Sequence, residues 1–147
     1  MLLALAIAAV AGCGSAPVGP TPSSTPTQPA AVANRAVLPS CGVENAGQLG
    51  PWNETGRTCF WSAYQQHHPA EFISTRPTTE GDPITTIFRV LPTGSVEIFM
   101  DLTQDKFSSP ADRIWKRFTC RTLSAIPNDS PSTDFGPDET CVASPVS

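Results

Sequence analysis

The chain of 147 residues carries 13 acidic and 9 basic side chains, a formal net charge of −4, with only 15% charged residues and 16 prolines. All the acids and eight of the bases follow Arg35, so that part of the chain has a charge of 8 − 13 = −5. This excludes a nucleic-acid surface and electrostatic docking on anionic lipid, both of which need clustered Lys or Arg.

Leu2 to Val10 is an uncharged run of Leu, Ala, Ile and Val. It is too short to cross roughly 30 Å of hydrocarbon, so residues 1–12 read as a lipoprotein signal peptide rather than a retained anchor. Val10-Ala11-Gly12-Cys13 matches the pattern cut by bacterial lipoprotein signal peptidase. Cys13 is therefore expected to be the lipidated first residue of the mature chain. Several acyl chains, at roughly 0.8 kcal/mol per buried methylene, make a stable membrane anchor. Because no Lys or Arg precedes Cys13, the true start is expected upstream of Met1.

Residues 13–35 follow as lipidated Cys and linker. The stretch from Gly14 to Ala33 holds five prolines, much Ser and Thr, and no charge. Such a composition favours polyproline-like extension, a spacer of at most roughly 60 Å. Its Thr-Pro clusters suit O-glycosylation. Residues 36–147, about 110 in number, suffice for one core, and no internal repeat is evident.

With Cys13 spent on lipid, Cys41, Cys59, Cys120 and Cys141 remain. An exported domain of this size gains roughly 2–4 kcal/mol from a cross-link, so disulfides are expected. Three connectivities are open. Cys41–Cys59 with Cys120–Cys141 is preferred because each closes a segment rich in Gly and Pro turns; the runner-up joins Cys59 to Cys120. The spacings do not suit zinc.

One helix is expected over Arg57–His68, with Asn53 or Thr55 as cap, Pro69 as stop, and Phe60, Ala63, Tyr64 and His67 on one face. Between Ile84 and Leu102, Leu91-Pro92-Thr93-Gly94-Ser95 reads as a turn in which Gly94 supplies the left-handed residue. Pairing 91 with 95 sets Ile84, Thr86, Phe88 and Val90 opposite Leu102, Met100, Ile98 and Val96 as the core face. The other face carries Leu91, Arg89, Ile87 and Thr85 against Ser95, Glu97, Phe99 and Asp101, with Arg89 across from Glu97. Glu71–Thr75 and Ile114–Arg121 read as further strands, although Ile114, Trp115 and Phe118 also fit a helical period. The expected fold is α+β: one N-terminal helix packed on an antiparallel sheet of about four strands, stapled by disulfides.

The order CG, CFWSAY, STRPTTEGDPITTIFRVLPTG, VEIFMDLTQDKF and RFTC over about residues 40 to 141 resembles an uncharacterised group of actinobacterial lipoproteins, mycobacterial ones among them. The resemblance implies an exported, disulfide-bonded domain and supplies no catalytic residue.

Candidate chemistry is sparse. Glu80 and Asp82 flank Gly81 ahead of the central hairpin, where two carboxylates suit acid–base work or a cation; a tight turn with pairing to Arg76 or Arg89 is the preferred explanation. Asp101-x-Thr103-x-Asp105, then Ser109 and Asp112, has oxygens at calcium-loop spacing, but Lys106 sits where a loop Gly is required. His67 and His68 point about 100° apart on a helix and make a poor metal pair, so His67 is expected at the core edge. The sequons at Asn53 and Asn128 matter only in a host that glycosylates asparagine. No GxSxG elbow is present. The apolar content of the second sheet face makes Ile87, Arg89, Leu91, Glu97 and Phe99 a possible partner surface, unless the chain's own loops and termini cover it.

The resulting expectation is a lipid-anchored protein on the extracytoplasmic face of the cell membrane, with a small non-catalytic binding or accessory domain whose partner is an envelope protein or ligand. No cofactor, metal or nucleic acid is expected. The alternative is an extracytoplasmic hydrolase using Glu80, Asp82 and Asp101.

Overall fold

The computed structural model describes residues 28–126 and 133–146. The signal peptide 1–12, Cys13, most of the linker and Asn128 lie outside the described residues. Within them the element order is α1 (Ala30–Ala33), β1 (Ser40–Asn45), α2 (Glu54–Gln65), β2 (Ala70–Pro77), β3 (Pro83–Val90), β4 (Val96–Asp101), β5 (Trp115–Cys120), β6 (Leu123–Ile126), β7 (Asp134–Pro137) and β8 (Val142–Pro145).

The fold is α+β, but the main sheet has six strands rather than about four, in the order β1-β2-β3-β4-β5-β8. It is not wholly antiparallel, because β1 runs parallel to β2 and is joined to it through α2. β6 and β7 pair separately as a two-stranded ribbon. The extra strands carry little sequence signal. β1 is broken by a register shift between Ser40 and Val43, with Gly42 at φ 106°. β8 is exposed along its whole length, so it shows no apolar alternation.

The central hairpin has the predicted register, Val90↔Val96 through Arg89↔Glu97, Phe88↔Ile98, Ile87↔Phe99 and Thr86↔Met100 to Thr85↔Asp101. Its turn closes with Leu91 N–H donating to Ser95 O (2.9 Å) and Gly94 N–H to Leu91 O (2.8 Å). Gly94 takes φ 80°, open only to a residue without Cβ strain. The β2–β3 turn repeats the device, with Thr78 N–H on Asp82 O, Gly81 N–H on Thr78 O and Gly81 at φ 97°. Leu102 falls beyond β4, and Ile84 pairs with Arg76 on β2 instead.

α2 begins three residues before the expected start, because the Asn53 side chain accepts the Gly56 N–H (2.9 Å) and caps the first turn. It ends early as well. His67 adopts φ 55°, and His68 N–H returns to Ala63 O at 2.9 Å, a Schellman-type close. That conformation turns His67 outward: it is exposed and lies beside Gly94, not at the core edge.

Two cores sandwich the sheet. On the helix side Phe60, Phe72, Phe88, Val90, Ile98 and Phe135 form the main cluster, with Phe60 and Phe88 each 5.0 Å from the Phe135 ring. Cys41–Cys59 ties β1 to the first half of α2, and Cys120–Cys141 ties the end of β5 to the segment before β8. These are the preferred pairs. On the other side Val32, Ile87, Phe99 and Trp115 are buried together, flanked by Ile73 and Val146. Val32 comes from α1, within the stretch whose composition assigns it to the linker, so the folded unit begins before residue 36. Among the described residues no helix is long and apolar enough to cross a membrane.

Candidate functional site

The face named as a possible partner surface is covered by the chain itself, the other reading the sequence allowed. Ile87, Arg89, Glu97 and Phe99 are buried and Leu91 is partly so. The cover is the 29–36 segment. Val32 is inserted between Ile87, Phe99 and Trp115, and Arg35 forks onto Glu71 through Nε (2.9 Å) and Nη2 (2.8 Å). Arg89 then bridges Glu71, Glu97 and the Ala36 carbonyl, and Arg117 caps Glu97 from the rim at 2.6 Å. Burial pushes the Glu71 carboxyl up, but Arg35 and Arg89 outweigh it and hold it below the usual carboxylate range. The charges on this face are thus spent on internal pairing.

The helix side is not fully covered. α2 and the β6–β7 ribbon leave a cleft of about 270 Å³ between them and the sheet. Its floor is Ile84, Thr86, Phe88 and Met100, which share one face because the β3–β4 register alternates. Ile126 and Pro137 form the ribbon lip.

The inner end is a buried ion cluster. Glu44 on β1 and Arg57 on α2 are each 2% exposed. Arg57 donates Nε to Glu44 Oε2 (2.7 Å) and Nη2 to Glu44 Oε1, and its Nη1 reaches Asp134 Oδ1 at 2.8 Å. The Asn53 N–H and the Ser74 hydroxyl complete the shell of Glu44 at 2.9 and 2.8 Å. Burial pushes Glu44 up, yet the hydrogen bonds from Arg57, Asn53 and Ser74 prevail and leave it below its ordinary value. Burial disfavours charge on Arg57 too, and Glu44 and Asp134 overcome it, so the guanidinium stays charged.

Arg76 joins from the rim. It donates Nη1 to both Asp134 oxygens at 3.2 Å while its side chain remains 42% exposed. Both guanidiniums lie over the Trp52 ring, each 5.3 Å from its centroid. Beyond Arg76 a second hollow of about 310 Å³ opens beside Gln48, Trp52 and Thr79. A cleft with an apolar floor and a polar end can seat an apolar group and orient it by a hydrogen bond, the usual division of labour in binding sites.

The three carboxylates read as acid–base candidates are not gathered into this cleft. Asp82 accepts the Lys106 N–H (2.9 Å) and Nζ (3.0 Å), which hold it below the usual range and fasten the 102–114 loop. Asp101 accepts the Thr103 N–H and hydroxyl, and Glu80 is exposed at the turn tip. Arg76 and Arg89, considered above as partners for Glu80 and Asp82, pair elsewhere. Asp105 and Asp112 bind Ser108 and Ser109 of their own loop, and no cluster of three His, Cys, Asp or Glu suited to a metal occurs among the described residues.

The Glu44–Arg57–Asp134 cluster was missed in the sequence. A signal existed, since Arg57 stands three residues before Phe60 and four further from Tyr64, on the apolar stripe of α2, where an Arg demands a buried partner. Which acids answer it, 13 residues before and 77 after, lies beyond local pattern.

The chain matches no protein-family profile, no curated protein and no solved structure.

Proposed function

We propose that the chain is an extracytoplasmic lipoprotein of the cell membrane, held by lipid at Cys13, whose folded domain is a non-catalytic binding module. The signal pattern before Cys13 and the resemblance to actinobacterial lipoproteins support the location. Two disulfides support an oxidising compartment.

The observation that carries the binding reading is the cleft. The second sheet face is closed by residues 29–36, whereas Ile84 and Met100 on the first face lie beside an open hollow ending in Arg76 and Asp134. The ligand class that fits is a small apolar group bearing a hydrogen-bonding head, on an envelope protein segment or a free molecule. The test is site-specific photo-crosslinking in the intact membrane-bound protein. A photoreactive residue replaces Ile126 on the cleft lip, 43% exposed, or Val37, 98% exposed and next to Ala36 on the other side of the sheet. Adducts from 126 and none from 37 are expected; equal labelling from both positions overturns the assignment of the cleft.

A further inference from the structure

Two of the most exposed large apolar side chains among the described residues are Leu49 (98%) and Phe107 (72%). They come from loops far apart in sequence, and the strand register brings them to one end of the sheet. β1 ends at Asn45 beside Thr75, Pro77 faces Pro83, Thr85 faces Asp101, and Asp101 faces Trp115. The connections 46–53, 78–82 and 102–114 therefore leave from the same end.

These loops are fastened to one another. Gln48 Nε2 donates to the Thr78 and Thr79 carbonyls at 3.0 and 2.7 Å, and Asp82 receives the Lys106 N–H and ammonium. Leu49 and Phe107 thus flank the central turn on a cross-braced platform. Two exposed apolar side chains carried by braced loops at the same end of the sheet offer a paired contact to an apolar medium.

The N-terminal segment supplies the second argument. Arg35 is bonded to Glu71, at the end of β2 remote from these loops, whereas Val32 packs with Ile87, Phe99 and Trp115. Traced backward from Arg35 to Val32, the chain moves toward the end that bears Leu49 and Phe107. Some 15 residues separate Gln28 from Cys13.

We propose that this end of the sheet faces the bilayer and that Leu49 and Phe107 dip into its interface, so the domain sits on the membrane that its lipid anchors it to instead of swinging free on the linker. The inference rests on the reading of Cys13 as lipidated. The three loops hold four acids (Glu80, Asp82, Asp105, Asp112) and two bases (Lys106, Arg113), a charge of 2 − 4 = −2. The contact is therefore apolar, with neutral or zwitterionic lipid, and not electrostatic.

The experiment uses the full-length processed protein in phosphatidylcholine vesicles with brominated acyl chains. Flotation of the wild type and C13S comes first. It is followed by tryptophan quenching in L49W, F107W and V142W, each read as the increment over the wild-type emission. Val142, as exposed as Phe107, is the control at the opposite end, across from Thr119. The expected result is that wild type floats and C13S does not, and that the added tryptophans at 49 and 107 are blue-shifted and quenched roughly twofold or more relative to the one at 142. A wild type that floats with all three reporters equally quenched overturns the bilayer-facing end while leaving the anchor intact. A wild type that does not float, or a C13S protein that floats as well, overturns the anchor reading and this inference with it.

Discussion

Replacing Arg57 by Met tests whether the buried ion cluster organises the domain. Arg57 is 2% exposed and is the sole cation on Glu44 among the described residues, whereas Asp134 keeps Arg76 at 3.2 Å and the Phe135 N–H at 3.0 Å. The variant therefore leaves one buried carboxylate without a counter-charge, not two, and Met fills most of the volume. Breaking a buried pair from one side costs about 3–5 kcal/mol, and the retained Arg76 contact places R57M at about 3–4 kcal/mol. For a domain of this size that is a fall of about 12–20 °C in Tm. The pH dependence supplies the sharper test. In the wild type Glu44 is held below its ordinary value, so its stabilisation is present above the normal carboxylate range and fades as pH falls through the folded value. In R57M burial is no longer offset by a cation, so Glu44 is pushed up; protonation then relieves the variant, and its stability is lost as pH rises through that raised value. Urea unfolding at pH 7 and pH 4, followed by far-ultraviolet circular dichroism, should show the gap between wild type and R57M narrowing at pH 4. E44Q/R57M, which removes the orphaned charge, should recover part of the loss at pH 7. A loss below about 1 kcal/mol at pH 7, or a gap that does not change with pH, refutes the cluster as a stabilising network.

Three further outcomes follow from the packing. Removing Val32 and Arg35 separately should have unequal effects in the same denaturation assay. V32A, at 0% exposure, costs about 2 kcal/mol, whereas R35A costs under about 1 kcal/mol because the pair is partly solvated and Glu71 keeps Arg89. Gly56→Ala inverts the usual helix preference. Alanine normally gains about 1 kcal/mol, but here a Cβ would meet Asn53 Nδ2, Cys41 O and Phe72 Cε2 at 2.7 Å, so a net loss of about 1–2 kcal/mol is expected by thermal melting. The two disulfides close segments with sequence separations of 18 and 21, so C41S/C59S and C120S/C141S should each lose about 3 kcal/mol in guanidinium titrations.

The parts of the fold legible in the sequence are those whose determinants are local. The 91–95 turn states its own register, because Gly94 at the left-handed position and alternating apolar residues on both sides admit a single pairing without exposing a core face. Asn53, a helix cap, needed only its neighbours to be read. β1, β6, β7 and β8 were not legible. β6, β7 and β8 have four residues each and β1 is broken by a register shift, and the partner, whether β2, the ribbon mate or β5, fixes each through backbone pairing that leaves no alternation in a strand as exposed as β8. The candidate site fared similarly. The sequence pointed to the acids of the 78–82 turn, of which Asp82 braces a loop and Glu80 is exposed at the tip, and overlooked Glu44 and Asp134, whose environment comes from contacts 13 and 77 residues away.

The least legible feature is also the most consequential for function. An uncharged, proline-rich stretch reads as tether to its end, and composition cannot show that one turn of it, Ala30–Ala33, is captured by the sheet. The capture explains why the second face is so apolar. Ile87, Phe99 and Trp115 need a cover, and Val32 with Val146 provides it from the two ends of the described chain. It also explains the charge pattern, since Glu71 and Glu97 stand on a buried face only because Arg35, Arg89 and Arg117 neutralise them in sequence across the strands. A face stabilised in this way is unavailable to a partner unless the N-terminal segment leaves. Among the described residues, surfaces open for recognition include the cleft beneath the β6–β7 ribbon and the loop end bearing Leu49 and Phe107. The first is lined by the sheet's helix-side face, and Arg76, Pro77 and Thr78 on its rim also line the hollow beside Gln48 and Thr79 at the loop end. A domain lying on the bilayer by its loop end would hold the rim of its cleft close to the lipid, which suits capture of a ligand at the membrane surface.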